Sequence, residues 1–307
     1  MVGEVRQTLP RSHQCQRIAR ARFLLRFHVA PRGGYLRAEG LAVAIPCAPA
    51  RVVETRRLTP NMIRITVEAV GDWLWPTHGR GDERVDIALP APGESVANID
   101  VFNLPEYGRG WEGEEPPWRH YTVRQVRDGG RLIDIDFVVH DGGLASGWAE
   151  RAEPGHVIGI FGAGEREEPS SYYAAPSDAE FQLLVADATG VPGLGRILEQ
   201  LPAGARVLAI AEVPTEADIQ EYETAGDVEI RWIIGSGNGH GPSALAAEVA
   251  GFSAPEGPWY AWVACEASTS RAIRRDLRSR LGLARDRHHA IGYWTQDRTG
   301  NMSADVD

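Results

Sequence analysis

Apolar and polar residues alternate along several short segments in the first half of the chain. This period-2 pattern predicts β-strands with one face in a core and the other outside it. The segments are residues 62–68, 85–89, 121–126, 132–139 and 156–161. Because loops rich in Gly, Pro and acidic residues separate them and few helical patterns intervene, the first half predicts a small antiparallel β-barrel over residues 51–165.

The second half of the chain alternates apolar strand patterns with helical patterns. Strands are predicted at residues 181–186, 206–213, 228–234, 259–265 and 289–294, and helices at 193–201, 243–251 and 268–281. Such alternation is typical of a parallel sheet with crossover helices. We therefore expect an α/β domain over residues 181–307, joined to the barrel by a linker at 166–180 that is rich in Glu, Pro and Ser.

Charge is distributed unevenly over the 307 residues, which carry 32 basic residues, all of them arginine, and 42 acidic ones. Residues 1–50 hold eight arginines against Glu4 and Glu39, a net charge of +6. Because the whole chain carries −10, residues 51–307 carry −16. An acidic body repels phosphates and argues against nucleic-acid binding. We expect residues 1–50 to form a disordered extension, with a targeting segment or an extra strand as the alternatives.

The absence of lysine and the scarcity of cysteine narrow the chemistry. Without lysine, Schiff bases and P-loop lysines are excluded, and any anion site must use guanidinium groups. Cys15, Cys47 and Cys265 form no C-x-x-C pair, which excludes a four-cysteine iron–sulfur cluster. No apolar run approaches the ~18 residues of a membrane-spanning helix. These features predict a cytoplasmic protein with no membrane insertion and no bound metal.

A short motif, Arg119-His-Tyr-Thr-Val-Arg124, lies on one predicted barrel strand. Strand alternation puts Arg119, Tyr121 and Val123 on one face and places Thr122 on the other. An arginine can hold a pyrophosphate, a tyrosine ring can cover a flavin, and a threonine can hydrogen-bond the reactive flavin nitrogen. Taken alone, the motif is short and is better explained by a plain barrel strand.

A second motif follows on the next predicted strand and turn. Residues 136–140 end a strand and lead through a glycine-rich turn to Ser146 at a predicted helix start. Such a turn offers backbone N–H groups to a phosphate. Taken separately, His140 and Trp148 are better explained as structural residues, so the order of the two motifs carries the prediction.

With these motifs in place, the sequence resembles the siderophore-interacting proteins, which are FAD-dependent ferric-siderophore reductases related to the ferredoxin–NADP reductase fold. The resemblance rests on six ordered segments, residues 56–66, 119–124, 136–140 with 143–148, 184–192, 260–266 and 292–294. It implies an N-terminal FAD-binding β-barrel followed by a parallel-sheet, NAD(P)-binding-like α/β domain.

The resemblance also implies which residues hold FAD. Thr122 would lie near the flavin nitrogen that receives hydride and is the catalytic candidate. The other FAD-binding residues that it implies are Arg119, Tyr121, Val123, Asp136, Val138, His140, Gly143, Ala145, Ser146 and Trp148.

A nicotinamide dinucleotide is implied at the second domain. Asp187, Thr189 and Pro192 match the family's strand-to-helix turn, where NAD(P)H should lie. Glu212 and Glu266 fall at the ends of later strands, where ligand-facing residues lie in this architecture. Cys265 replaces a family glycine and is expected to narrow the nicotinamide entry.

The substrate site departs from the family pattern. The family often has a lysine, thought to hold the anionic siderophore, where this chain has Asp86, and Arg84 lies on the same strand face. Arg275 and Arg287 lie in the stretch where the family has basic substrate contacts. We expect Arg84, Arg275 and Arg287 to bind the ferric siderophore. The negative charge of Asp86 leaves a neutral or cationic substrate as the alternative.

Together these implications predict that NAD(P)H reduces FAD and that FAD passes single electrons to a ferric siderophore, which releases Fe(II) in iron acquisition. Ferredoxin is an alternative electron donor. Two other functions stay open: a siderophore- or flavin-binding protein without turnover, and an electron-transfer flavoreductase that serves another acceptor.

Overall fold

The computed structural model describes residues 47–77, 79, 81–104, 116–162, 171–237 and 241–296, together with the backbone of three short strands before them. Those strands, β1 (His28–Val29), β2 (Tyr35–Ala38) and β3 (Leu41–Ala44), pair in an antiparallel sheet. The other residues up to 46 of the predicted extension lie outside the described part of the chain. Residues 47–50 already belong to the first barrel strand, where Cys47 pairs with Phe161.

The barrel forms from six strands whose apolar faces point inward. They are β4 (Cys47–Thr59), β5 (Met62–Ala69), β6 (Arg84–Ala88), β7 (Trp118–Arg127), β8 (Leu132–Val138) and β9 (Val157–Phe161). They close in the order β4-β5-β8-β7-β6-β9, and all neighbours run antiparallel. Alternating residues such as Ile65, Ile135 and Ile160 fill the interior, which confirms the predicted barrel.

A short helix, α1 (Leu144–Ala149), follows β8 and packs Trp148 against the barrel core. The Trp148 ring lies 5.4 Å from that of Phe137, a buried residue of β8. The helix therefore covers the barrel next to Phe137.

The second domain is the predicted parallel sheet with helices. Its strands are β10 (Phe181–Ala186), β11 (Arg206–Val213), β12 (Asp227–Ile234), β13 (Trp259–Glu266) and β14 (His288–Trp294), and its α-helices are α2 (Val191–Glu199), α3 (Leu245–Ala250) and α4 (Ala267–Ser279). The strand order is β12-β11-β10-β13-β14, with every pair parallel. This arrangement confirms the predicted fold class.

The two faces of this sheet are covered differently. One face packs against α2 and against Met62 and Val138 of the barrel, while the other packs against α3 and α4. Because β10 has β11 on one side and β13 on the other, the chain reverses direction across the sheet at the end of β10. Ligands of open α/β sheets bind at such a switch point.

Short 3₁₀ turns complete the described chain, at Asp100–Asn103, Asp128–Gly130, Glu216–Asp218 and Arg285–Arg287. The longest helix, α4, has 13 residues. Among the described residues, no helix is long and apolar enough to cross a membrane.

Candidate functional site

Strand β7 carries the first motif, and its two faces serve different parts of the molecule. Tyr121 and Val123 pack with the barrel core, and the Tyr121 ring lies 4.3 Å from that of Phe137. Thr122 and Arg124 face the second domain. The predicted alternation is therefore present, and it points the Thr122 hydroxyl toward the parallel sheet.

Arg119 lies near the start of the same strand and is half-buried. Its Nη1 donates a hydrogen bond of 2.7 Å to the carbonyl of Trp118. Burial lowers the pKa of this guanidinium, an effect that the nearby Tyr121 hydroxyl opposes. The side chain thus places its charge beside the ring that is predicted to cover a flavin.

Thr122 meets a residue from the far end of the chain. Tyr293 of β14 lies beside the Thr122 side chain, and burial raises the pKa of its phenol well above the usual range, an effect that Thr122 opposes. The next residue, Trp294, donates from Nε1 to Asp187 Oδ2 at 2.7 Å. Two consecutive residues of β14 therefore connect the predicted flavin contact on the barrel to the predicted nucleotide turn.

Arg84 lies directly opposite Thr122 in the β6–β7 register. Its Nη1 donates to the Tyr172 hydroxyl at 2.8 Å, and its guanidinium lies 5.4 Å from the centre of that ring. Asp86, two residues on, contacts His120 Nδ1 and lies 3.8 Å from Arg84 Nε. The acidic residue at the family's lysine position thus has two cationic or potentially cationic neighbours.

The glycine-rich turn before α1 is held by side chains of its own. The Ser146 hydroxyl donates to the His140 carbonyl at 2.8 Å and accepts from the His140 N–H at 2.9 Å. A Cβ at Gly143 would lie 2.4 Å from the His140 ring, so a larger residue there would require that ring to move. Ala145 and Ser146 are buried. The Ser146 side chain therefore holds the shape of the turn. The groups that the turn offers to a phosphate are its backbone N–H groups.

Asp136 and Val138 are predicted to complete the flavin site, and in the structure both make contacts within the protein. Asp136 lies opposite Arg64 on β5 and accepts two hydrogen bonds from its guanidinium, at 2.7 and 2.8 Å. Burial acts to lower the pKa of Arg64, but the hydrogen bond and charge of Asp136 raise it overall. Val138 packs with Met62 against the second domain. Both residues are occupied by barrel and interdomain contacts.

The predicted nucleotide residues converge at the carboxyl ends of the parallel strands. Asp187 is buried, and its carboxylate accepts from Thr189 N, Thr189 Oγ1, Gly190 N, Glu266 N and Trp294 Nε1. Burial raises the pKa of Asp187, while these hydrogen bonds oppose the rise. Pro192 lies in the first turn of α2. This set forms a rigid corner beside the switch point of the sheet.

The two predicted glutamates do different things. Glu266 caps α4, where Oε2 accepts from Ser268 N at 2.7 Å and from Thr269 N at 2.9 Å. Burial acts to raise its pKa, but these hydrogen bonds lower it overall. Glu212 is fully buried, with Oε1 held by the Ser236 hydroxyl and by Ala244 N. Its Oε2 is buried and has no hydrogen-bond partner among the residues that the structure describes.

Cys265 does not narrow a nicotinamide entry. Because side chains alternate along β13, Cys265 points to the sheet face opposite that of Ala264. It is fully buried in the apolar core beneath α3 and α4. The expectation that Cys265 narrows the nicotinamide entry is therefore wrong.

We expect the thiols of Cys47 and Cys265 to resist modification in the folded protein. Burial raises the pKa of Cys47 to about 12 and that of Cys265 well above its usual range, and the thiolate is the reactive form. Labelling with a disulfide reagent at about pH 8, native and in urea, measures this. A Cys15→Ser variant isolates the two thiols, and rapid native labelling of that variant would contradict their placement.

The three predicted substrate arginines are not brought together. Arg275 lies exposed on α4. Arg287 precedes β14, at the amino edge of the parallel sheet, and forms hydrogen bonds of 2.9 and 2.6 Å with Asp178. Arg84 alone lies beside Thr122. Arg287 directly precedes β14, so it lies at the edge of the sheet opposite to the carboxyl ends of the strands. This position separates Arg287 from Asp187 and Thr122.

Several residues of the site were missed from sequence, because their contacts join distant segments. Asp82 is buried and accepts from Ser171 Oγ, Tyr172 N, Tyr173 N and Trp262 Nε1. Glu83 accepts from Trp75 Nε1 and Thr77 Oγ1 in the barrel and from Arg196 Nη2 in α2. Neither acid follows a local motif that marks such a role. Both fix the segment that leads into Arg84.

A closed antiparallel barrel followed by a parallel α/β sheet, with Thr122 of the barrel facing the second domain, defines the chain as a two-domain flavoreductase-type protein. A family model described as "Siderophore-interacting FAD-binding domain" matches residues 51–166, and one described as "Siderophore-interacting protein" matches residues 179–297. The chain belongs to the siderophore-interacting protein family.

Individual relatives agree with this placement. A ferric vibriobactin reductase from Vibrio cholerae is 32% identical over 248 residues, covering 79% of this chain and 87% of that protein. An NADPH-dependent ferric-chelate reductase from Escherichia coli is 30% identical, covering 79% and 91%. The crystal structure of a siderophore utilization protein from T. fusca is 29% identical, with a TM-score of 0.67 over 84% of this chain and 95% of that chain.

Proposed function

We propose that this chain is an FAD-dependent reductase that passes electrons from NAD(P)H to a ferric siderophore and so releases Fe(II). The observation that carries the proposal is the bridge made by Tyr293 and Trp294. Tyr293 lies beside Thr122 on the barrel, and Trp294 is hydrogen-bonded to Asp187 at the switch point. These contacts support electron donor and acceptor sites that meet at one corner of the molecule.

The residues at this corner fit FAD. Arg119 offers a guanidinium for the pyrophosphate, Thr122 offers a hydroxyl, and Tyr121 presents an aromatic ring that Phe137 supports from within the barrel. The turn at Gly143 adds backbone N–H groups. When bound, FAD supplies two-electron chemistry with a nicotinamide and one-electron chemistry with iron.

The protein's own contribution is position and electrostatics. Asp187 holds the turn that opens α2 through the N–H groups of Thr189 and Gly190, and this fixes the surface on which a nicotinamide lies. Tyr293 packs beside the Thr122 side chain, where burial raises the pKa of its phenol. Arg84 places a permanent positive charge next to Thr122, where an anionic ferric chelate is attracted against the general negative charge of the chain.

The proposal is tested by following Fe(II) formation with a ferrous-specific dye under anaerobic conditions. FAD-loaded protein is supplied in turn with NADH, NADPH and reduced ferredoxin, and with ferric catecholate and ferric hydroxamate chelates. We expect Fe(II) to form only when protein, FAD, donor and chelate are all present. We place the reaction in the cytoplasm, where these donors are found.

Two results would count against the proposal. A yellow protein that binds the ferric chelate but is bleached by none of the donors is a carrier. A protein that is bleached but forms no Fe(II) with any chelate is a flavoreductase for another acceptor.

Arg84 carries a prediction of its own. Arg84→Gln is expected to raise the Michaelis constant for an anionic ferric chelate about fivefold, because a half-buried charge contributes up to ~1 kcal/mol. The effect should shrink at high salt, since ions screen the attraction. Steady-state kinetics at two ionic strengths measure both.

Arg275→Gln is the matched control for Arg84→Gln, because Arg275 lies exposed on α4. Equal Michaelis constants for the two variants would place the anion site away from Arg84. In that case a neutral or cationic substrate would explain Asp86 better.

A further inference from the structure

Arg196 is a buried cation with an unusual partner. It lies on α2 in the second domain, yet its Nη1 donates to the backbone carbonyl of Val123 on barrel strand β7. Its Nη2 donates to Glu83 Oε2 at 2.6 Å and approaches Thr77 Oγ1 at 3.3 Å. A side chain of the nucleotide domain therefore holds the main chain of the flavin-contacting strand.

These contacts close a ring of hydrogen bonds. The Val123 N–H donates to the Glu83 carbonyl at 2.8 Å, the Val123 carbonyl accepts from Arg196, and Arg196 donates to the Glu83 carboxylate. Glu83 and Arg196 are both almost fully buried. Burial lowers the pKa of Arg196, and the charge of Glu83 opposes this effect. Both peptide groups flanking the Val123 Cα are thus fixed in direction.

The position of this ring ties it to the chemistry. Val123 follows Thr122 directly. The peptide that joins the two residues is held at its N–H by the Glu83 carbonyl, and the carbonyl that Arg196 holds lies in the next peptide, on the other side of the Val123 Cα. The helix that carries Arg196 begins at the Asp187–Gly190 turn, where Gly190 N and Val191 N donate to the Asp187 carbonyl. One short helix therefore connects the nucleotide turn to the flavin strand.

We propose that Arg196 is a positioning residue that sets the placement of Thr122 relative to the nucleotide turn, an inference that rests on the proposed function. It acts through the carbonyl of Val123 and touches neither reactant. Because misplacement of about 1 Å can cost up to ~100-fold in rate, a shift of this peptide should slow hydride transfer without weakening nucleotide binding.

A second ion pair between the domains provides the control, with Arg124 buried and Glu199 exposed. Arg124 on β7 and Glu199 on α2 join the same strand to the same helix, with hydrogen bonds of 2.7 and 2.5 Å. In contrast to Arg196, this pair is made between side chains and holds no main-chain carbonyl of β7. If Arg196 served only to hold the domains together, loss of either pair would have the same effect.

The test compares two double variants, Arg196→Met/Glu83→Gln and Arg124→Met/Glu199→Gln, each of which removes both charges so that no buried ion is left unpaired. Three quantities are measured on FAD-loaded protein: the visible circular dichroism of the bound flavin, the limiting rate of anaerobic reduction, and the apparent Kd of NADPH. Arg196→Lys, which keeps the charge but loses the planar fork, should fall between wild type and the first double variant.

We expect Arg196→Met/Glu83→Gln to change the flavin circular dichroism and to lower the limiting rate about tenfold at unchanged Kd. The Arg124→Met/Glu199→Gln variant should retain both the spectrum and the rate. Equal changes in the two variants, or a lower melting temperature as the only change in the first, would overturn the proposal. If wild-type protein is not reduced by any donor, the proposed function fails, and the circular dichroism comparison still decides the role of Arg196.

Discussion

Replacing Arg64 by methionine is expected to lower the free energy of unfolding by about 3 kcal/mol, because it leaves the Asp136 carboxylate buried without its bidentate partner. Arg124 lies 3.9 Å from the same carboxylate and compensates only in part. Urea denaturation of wild type and variant measures the loss. FAD affinity should remain unchanged, since the pair packs between β5 and β8.

The double variant Arg64→Met/Asp136→Leu is the control for this prediction. Replacing a buried ion pair by apolar residues is often neutral or stabilising, so most of the lost stability should return. If Arg64→Met instead released FAD and left the unfolding curve unchanged, Asp136 would belong to the flavin site after all.

Arg119→Ala is expected to weaken FAD binding roughly ten- to hundredfold. A charge-assisted hydrogen bond to a phosphate contributes on the order of 1.5–3 kcal/mol, and this side chain lies beside the ring proposed to cover the flavin. Fluorescence titration of the apoprotein with FAD measures the affinity. The size of the loss should depend on salt, because the interaction is ionic.

Arg131→Ala provides the comparison for Arg119→Ala. Arg131 belongs to the barrel, but it pairs with Glu68 at 3.2 Å where both side chains are partly exposed. Its loss should not alter FAD affinity. Equal affinity of wild type and Arg119→Ala would remove Arg119 from the pyrophosphate site.

The fold was predictable from sequence because each domain has a clear period. Alternation marked the barrel strands, and it also placed Thr122 on the opposite face from Tyr121, as observed. The same rule shows why Cys265 faces away from the sheet surface on which Ala264 lies. The alternation along β13 could be read from the sequence, and the expectation for Cys265 did not take it into account.

The contacts made by Asp136 and Arg287 depend on facts that no local pattern contains. Asp136 is paired because the register of β5 against β8 sets it opposite Arg64. Register is fixed by the whole hydrophobic pattern and by turn geometry, so one strand alone does not reveal it. Arg287 is remote because β14 runs parallel to β13, which puts its first residues at the far edge of the sheet.

The contacts between the domains were the least predictable part. Asp82, Glu83 and Arg196 join segments separated by roughly a hundred residues in sequence, as in the bond from Arg196 to Glu83. Buried charges need partners, so a pair of adjacent acids before a barrel strand indicates that some cation must approach it. The sequence does not say which arginine supplies that cation.

The central claim is that this chain reduces a ferric siderophore through bound FAD, and a single-turnover count of Fe(II) tests it most directly. FAD-loaded protein is bleached anaerobically with one equivalent of NADPH and mixed with excess ferric chelate and a ferrous-specific dye. We predict that the oxidised flavin absorption returns and that about two Fe(II) ions form per FAD, because a hydride carries two electrons and each iron accepts one. Flavin that stays bleached while the ferric chelate is bound, with no Fe(II) formed, would contradict the claim.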